Sequence, residues 1–266
     1  MFGKVNLGCV KTANAEMEYA VFGKGEKVFV IIPGLSIKSV IESASAVARA
    51  YKAFGETHTV YLFDRRKDVN EGLTLNDMAE DIIDSMKALG LSRADVFGTS
   101  QGGMIAQLIA IKEPELVKNL VLGSSAAREN GYARNVISQW IELALENESK
   151  KLAESFVEKL YSEKFVRKYG SFIIKMTSSC TEDELKRFII LAESCDGFDI
   201  LSSLEKIKCP VLVLGAKEDK VLTGKASEEI AEKLGCEIYM YPAPYSHAVY
   251  DEAPDFKDRI LEFLNK

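Results

Sequence analysis

A glycine-rich turn around Ser100 is the stretch of this sequence best suited to covalent chemistry. Residues 98–102 read GTSQG, which is a G-x-S-x-G pattern. The apolar run Asp95–Phe97 enters the turn and a helical pattern leaves it, an order that holds a serine hydroxyl clear of the backbone. Gly98 and Gly102 flank the serine at positions where side chains would clash with neighbouring elements. The pattern predicts that Ser100 is a nucleophile on a strained strand-to-helix turn.

The sequence contains two histidines, and one of them is placed where a catalytic base is needed. His58 precedes a predicted strand and is expected to be a surface residue or a hydrogen-bonded loop residue. His247 lies between the strand-like run Glu237–Tyr241 and a final helix that has Pro254 in its first turn. Ligands bind outside the carboxyl ends of parallel strands, and a neutral imidazole is a natural base for a serine hydroxyl. We therefore predict that His247 accepts the serine proton.

A carboxylate that orients the imidazole is expected to complete the set. Glu218 and Asp219 follow the strand-like run Val211–Leu214. Either residue gives the chain order serine, acid, histidine, which is typical of enzymes whose serine sits on such a turn. An acid after the earlier strand-like run Leu120–Leu122 is excluded because residues 123–125 read GSS. The residues alone leave Glu218 and Asp219 open.

Two backbone N–H groups are predicted to stabilise a negatively charged oxygen during the reaction. One belongs to Gln101, the residue after the serine, at the start of the predicted helix. The other belongs to Leu35, in the loop after the strand-like run Val28–Ile32. Gly34 in that loop allows the backbone to approach the site closely. These two amides are the predicted oxyanion hole.

Short apolar runs alternate with helical patterns along most of the chain. This alternation predicts an α/β fold with a mostly parallel sheet flanked by helices. Two early stretches, Lys4–Cys9 and Met17–Phe22, are compatible with an antiparallel hairpin at one sheet edge. The predicted buried strands are Val28–Ile32, Thr59–Phe63, Asp95–Phe97, Leu120–Leu122 and Val211–Leu214.

The alternation stops between residues 125 and 205, where helical stretches follow one another without a strand-like run. We therefore predict a core of residues 1–124 and 206–266, with residues 125–205 inserted as a helical cap. The aromatic side chains of the cap are expected mainly to pack it onto itself and in part to line an apolar pocket. The helical stretches are Val136–Glu146, Lys151–Tyr161, Glu163–Met176 and Glu182–Glu193.

Three stretches of the chain together resemble the α/β-hydrolase fold superfamily, in its cap-bearing, esterase-like branch. Residues 73–107 are similar to the helix, strand, turn and helix of that family. Residues 215–221, GAKEDKV, resemble its acid loop, and residues 246–264 resemble its histidine loop and final helix. The resemblance implies that Asp219, rather than Glu218, is the acid.

Two loops depart from the family pattern. Pro33-Gly34 stands where the family often has His-Gly, although a main-chain donor needs no histidine side chain. Residues 64–68, DRRKD, lack the two glycines that are common in the family after this strand. Arg65 and Arg66 are predicted to be surface charges rather than residues that face the site.

The resemblance implies a serine hydrolase that cleaves a carboxylic ester through an acyl-enzyme, without a metal or organic cofactor. Its partner is then a small-molecule ester, with an apolar group suggested by the cap's aromatic residues. The same Ser-His-Asp triad also serves C–C bond hydrolysis, amide or peptide cleavage, perhydrolysis and acyl transfer, because a fold does not fix one chemistry. A receptor that binds a small ligand without turnover is a further alternative.

Composition limits the partners of the chain. The 266 residues carry a formal net charge of −6 and a sequence pI of about 5.3, which gives no basic surface for nucleic acid or anionic membranes. The five cysteines include no C-x-x-C pair, and residues 1–10 lack the apolar run of a secretory signal. We predict a soluble cytoplasmic protein without nucleic-acid or membrane partners. The oligomeric state is left open.

Overall fold

A computed structural model of the protein describes residues 4–266, and its centre is a sheet of eight strands. The strands are β1 (Asn6–Lys11), β2 (Glu16–Gly23), β3 (Lys27–Ile32), β4 (His58–Arg66), β5 (Ala94–Thr99), β6 (Val117–Gly123), β7 (Val211–Ala216) and β8 (Glu237–Tyr241). They lie in the order β1-β2-β4-β3-β5-β6-β7-β8. Strands β3 to β8 run parallel, and β2 is antiparallel to β1 and β4.

The helices cover both faces of this sheet. They are α1 (Ala44–Ala50), α2 (Leu75–Ala88), α3 (Gln101–Lys112), α4 (Gly131–Leu145), α5 (Ser149–Leu160), α6 (Glu163–Ser178), α7 (Glu182–Glu193), α8 (Gly224–Leu234), α9 (Val249–Glu252) and α10 (Phe256–Leu264). The mostly parallel sheet between helices confirms the predicted α/β class. The β1–β2 pair is the antiparallel hairpin predicted at one edge.

Alternate residues of the central strands belong to different hydrophobic cores. Val96 of β5 packs with residues of α2, α3 and α8, whereas its neighbour Phe97 packs with residues of α1 and α10. All residues of β5 and of β7 are buried, as expected for strands covered on both faces. The backbone is therefore fixed on both sides where β5 delivers the chain to the turn at Ser100.

Four helices, α4 to α7, lie between β6 and β7 in the chain and form what we call the helical insert. Aromatic rings pack within it: the ring centroid of Phe156 lies 4.1 Å from that of Trp140 and 5.7 Å from that of Phe188. The insert contacts the last part of the core where the Ala248 N–H donates to the Leu160 carbonyl oxygen. The division into a core and a separate cap domain stays a prediction.

None of the helices in residues 4–266 has the length and apolar character needed to cross a membrane.

Candidate active site

The backbone at Ser100 adopts a conformation that few non-glycine residues take. Its φ is 51° and its ψ is −122°. A positive φ strains an L-residue, and such strain persists only where surrounding bonds hold it. Here the Ser100 N–H donates to the Gly123 carbonyl oxygen at 2.9 Å, and the Ser125 hydroxyl donates to the Ser100 carbonyl oxygen at 2.9 Å. The strand-to-helix turn predicted from the sequence is therefore present and tightly held.

The two glycines that flank Ser100 are required by close backbone contacts. A Cβ atom on Gly98 would lie 2.4 Å from the Gly102 carbonyl oxygen, and one on Gly102 would lie 2.1 Å from the Ile32 carbonyl oxygen. Both distances are far below van der Waals contact, and backbone oxygens cannot rotate away. Strands β3 and β5 therefore approach the start of α3 closely only because these positions carry no side chain.

We expect Gly102→Ala to lower the free energy of unfolding by about 3 kcal/mol or more, because the new methyl group overlaps backbone atoms. Gly131→Ala is the matched control, since nothing lies within 4 Å of a Cβ there. The control should stay within about 1 kcal/mol of the wild type. Urea unfolding followed by circular dichroism compares the two variants. Equal stability of the two would contradict the tight turn.

His247 and Asp219 form a buried pair beside this turn. The Nδ1 atom of His247 lies 2.9 Å from Oδ2 of Asp219, and the residues are 1% and 7% exposed. Oδ1 of Asp219 accepts the N–H groups of Val221 and Leu222 at 2.7 and 2.9 Å. The carboxylate is thus fixed by the backbone of its own loop and points one oxygen at the imidazole.

Burial raises the pKa of Asp219, but the charge and hydrogen bond of His247 and the two backbone N–H groups outweigh it. The net pKa lies below the ordinary carboxyl value, so the group is ionised at neutral pH. Glu218, the other carboxylate suggested by the sequence, has an exposed side chain. Of the two, Asp219 is the one that the structure brings to the imidazole.

The loop after β3 lies against the serine, as the predicted oxyanion hole requires. A Cβ atom on Gly34 would lie 3.1 Å from Cβ and 3.8 Å from Oγ of Ser100. Leu35 and Gln101 line the same cavity as Ser100 and His247. Gln101 is the first residue of α3, so its N–H has no carbonyl partner within the helix. Both predicted donor residues are therefore next to the serine.

Arg65 is a buried part of the site, so its prediction as a surface charge was wrong. The residue is 5% exposed, and its Nη2 atom donates to the Pro33 carbonyl oxygen at 2.7 Å and to Oε1 of Gln101 at 3.1 Å. Burial lowers the pKa of Arg65 to about 10, although the carboxylate of Asp64 opposes this. Arg65 thus fixes the loop before Leu35. Residues 64–68 did not indicate this role of Arg65, because its partners Pro33 and Gln101 are distant in the chain.

Arg66 and His58 are also held by buried carboxylates. Two nitrogen atoms of Arg66 donate to the two carboxylate oxygens of Asp81, each at 2.7 Å. His58 is 0% exposed at the start of β4, and its Nε2 atom lies 3.0 Å from Oδ2 of Asp95. His58 is therefore hydrogen-bonded, but it is a buried core residue within β4 and not the surface or loop residue that the sequence predicted.

Two spaces meet at the oxyanion loop. The inner cavity, of about 40 Å³, is bordered by Ser100 and His247. The outer cleft, of about 450 Å³, extends between the loop after β3 and the insert helices α5 and α6. Five residues border both spaces: Gly34, Leu35, Phe156, Leu160 and Tyr250. Ser100 thus lies in a small cavity next to a larger cleft that the helical insert borders.

Residues 27–254 match the sequence model of the α/β-hydrolase fold family. The matched range contains strands β3 to β8, the turn at Ser100 and the Asp219–His247 pair. The chain belongs to this family. The resemblance seen in its motifs and the prediction of an α/β-hydrolase enzyme are therefore confirmed at this level.

Individual relatives of this α/β-hydrolase are distant in sequence but similar in length. RutD of Caulobacter sp. (strain K31), named as a candidate carbamate hydrolase, is 28% identical over 77% of this chain and 80% of its own length. 3-Oxoadipate enol-lactonase 1 of Acinetobacter baylyi is 25% identical over 69% of this chain and 70% of its own. The crystal structure of MGS-M2, an α/β-hydrolase from a deep-sea metagenome library of the Medee basin, superposes with a TM-score of 0.87. The two chains are 22% identical, and the match covers 97% of this chain and 98% of that one.

Proposed function

We propose that this α/β-hydrolase cleaves a carboxylic ester through a covalent acyl-enzyme, with Ser100 as nucleophile, His247 as base and Asp219 as the orienting acid. The observation that carries the proposal is the buried Asp219–His247 pair, which shares one small cavity with a serine held at positive φ. A structural hydrogen bond alone would not require the strained turn beside it, whereas a nucleophile held clear of the sheet does.

The proton path follows from the contacts of His247. Asp219 accepts the Nδ1–H, which leaves the lone pair of Nε2 available to take the proton of Ser100. Oγ then attacks the carbonyl carbon, and the electron pair of the C=O bond moves onto oxygen. The N–H groups of Leu35 and Gln101 stabilise this oxyanion. The tetrahedral intermediate collapses, and the alcohol leaves with the proton from His247.

Water completes the cycle by the same steps. His247 takes a proton from a water molecule, whose oxygen attacks the acyl carbon bound to Ser100. A second oxyanion forms in the same hole and collapses to release the acid and the free serine. No further group is needed, because Asp219 stabilises the charged imidazole in both half-reactions.

The size of the spaces supports a small ester with an extended substituent. The inner cavity beside Ser100, at about 40 Å³, is much smaller than the outer cleft of about 450 Å³. The larger part of the substrate is therefore expected in the outer cleft, where apolar side chains of the insert favour an apolar group. The relatives' names, a lactonase and a candidate carbamate hydrolase, support cleavage at an acyl carbon.

Hydrolysis of a chain-length series of p-nitrophenyl esters tests the proposal. We expect turnover by the wild type, with a preference for acyl chains that reach the outer cleft, and a kcat lower by about four orders of magnitude or more in Ser100→Ala. Release of p-nitrophenolate followed by absorbance gives kcat/KM for each ester. A parallel panel of lactones, amides and C–C substrates separates the alternative reactions of the same triad. Turnover of no substrate in either panel would overturn the proposal and favour a binding role.

A further inference from the structure

The outer cleft contains a carboxylate that the proposed mechanism does not use. Asp251 lies four residues after His247, on α9, and borders the cleft. Asp251 is an exposed residue, and the hydroxyl of Tyr161 donates to its Oδ2 atom at 3.1 Å. Surrounding protein raises the pKa of Asp251 through burial, and the nearby charge of Lys257 opposes that rise. Asp251 is thus an exposed residue at the border of the cleft, and its carboxylate is held by Tyr161.

The other charged residues that border the cleft already neutralise each other. Nζ of Lys38 lies 3.6 Å from Glu42 and 3.9 Å from Glu184. Within residues 4–266, Asp251 has no ion-pair partner inside 4 Å. Lys257 donates instead to the Tyr250 carbonyl oxygen, and its ammonium lies 5.4 Å from the ring centroid of Tyr51. Asp251 is therefore the cleft charge available to a ligand.

Four aromatic residues border the cleft together with this carboxylate. The hydroxyl of Tyr161 contacts Asp251, Tyr250 precedes it in the chain, and the other two are Tyr51 and Phe97. Aromatic faces attract organic cations, and a carboxylate adds a charge-assisted contact that is strongest away from bulk water. The combination selects a substituted ammonium group over a neutral group of the same shape. An apolar chain that runs along the residues bordering both spaces would connect such a group to an ester carbonyl at Ser100.

We propose that Asp251 and the tyrosines around it bind an ammonium group on the substrate, remote from the bond that is cleaved. This inference rests on the proposed function, since it assigns the substrate class of the same site. Tyr250 precedes Asp251 in the chain and borders both the outer cleft and the inner cavity, so the proposed ammonium site adjoins the cavity that contains Ser100. Asp251 is then a specificity-determining residue, and the chemistry at Ser100 does not depend on it.

The test compares pairs of esters that differ in charge but not in shape. One pair carries the difference on the acyl side: p-nitrophenyl 6-(trimethylammonio)hexanoate and p-nitrophenyl 7,7-dimethyloctanoate. The other carries it on the leaving group: acetylthiocholine and S-(3,3-dimethylbutyl) thioacetate. We measure kcat/KM of wild type, Asp251→Asn and Asp258→Asn for all four. Asp258 is an exposed carboxylate on α10, so its variant makes the same charge change away from the cleft.

We expect the wild type to prefer the cationic member of one pair by about ten-fold or more, equivalent to about 1.4 kcal/mol. Asp251→Asn should remove that preference while kcat/KM for the neutral member stays within about two-fold, and Asp258→Asn should keep the preference. Turnover of the neutral esters without an Asp251-dependent preference would overturn this inference and leave the ester-hydrolase proposal intact. If the wild type cleaves none of the four, this inference is overturned. If it also cleaves none of the p-nitrophenyl chain-length series and none of the parallel panel, both proposals are overturned.

Discussion

Ser100→Ala should lower kcat for ester hydrolysis by about four orders of magnitude or more, because it removes the atom that forms the acyl-enzyme. The alanine leaves the backbone bonds at this position unchanged, since the Ser100 N–H and carbonyl oxygen make them. Folding should therefore be retained, and circular dichroism and thermal unfolding check this. The oxyanion hole and the substrate cleft also remain, so a small residual rate above that in water is expected.

Ser85→Ala is the matched control for that variant. Ser85 lies on α2 and is buried, and its hydroxyl has no hydrogen-bond partner among residues 4–266. The same chemical change there should leave kcat within about two-fold of the wild type and should not reduce stability. A Ser100→Ala enzyme that keeps more than about 1% of the wild-type kcat would show that another residue is the nucleophile.

Asp219→Asn should lower kcat by about four orders of magnitude, because it moves the imidazole proton of His247 from Nδ1 to Nε2. The N–H groups of Val221 and Leu222 need an acceptor, so the amide oxygen of the introduced side chain stays on their side. Its NH2 group then faces Nδ1 of His247 and donates to it. The imidazole must carry its proton on Nε2 and can no longer accept the proton of Ser100.

Glu218→Gln is the control for the acid, because it makes the same change at the adjacent position. The Glu218 side chain is exposed and outside the pair, so kcat should stay within about two-fold of the wild type. Steady-state kinetics of both variants are measured over a range of pH. Raising the pH within the stable range does not return the imidazole proton to Nδ1, so the loss of kcat in Asp219→Asn should persist across that range. Loss of activity in Glu218→Gln with activity retained in Asp219→Asn would reverse the assignment of the acid.

The parts of the site that the sequence could predict are those whose cause is local. The glycines on both sides of Ser100 form a pattern of five consecutive residues, and the structure has the close contacts with the carbonyl oxygens of Gly102 and Ile32 that explain them. His247 and Asp219 were predictable from their places after strands, because parallel strands bring such loops to one sheet edge. The residues alone did not separate Asp219 from Glu218, because the hydrogen bonds of the loop decide which of two adjacent side chains points at the imidazole.

Other features depend on contacts between distant segments. Arg65 was predicted as a surface charge, but it reaches Pro33 and Gln101, which lie more than thirty residues away on either side. No sequence motif singles out Asp251, which borders a cleft whose other walls include residues of α5 and α6. Helix α4 begins at Gly131, earlier than the predicted Val136, because the side chain of Asn130 caps its first turn.

The most direct test of the central claim is to trap the nucleophile with diethyl p-nitrophenyl phosphate and locate the adduct by peptide mass spectrometry. Attack of the serine oxygen on phosphorus expels p-nitrophenolate and leaves a stable phosphate ester on the protein. We predict one diethylphosphoryl group per chain, on Ser100, with one equivalent of p-nitrophenolate released, none in Ser100→Ala and much slower labelling in Asp219→Asn. An unlabelled wild-type protein, or a label on another residue that also persists in Ser100→Ala, would contradict the account.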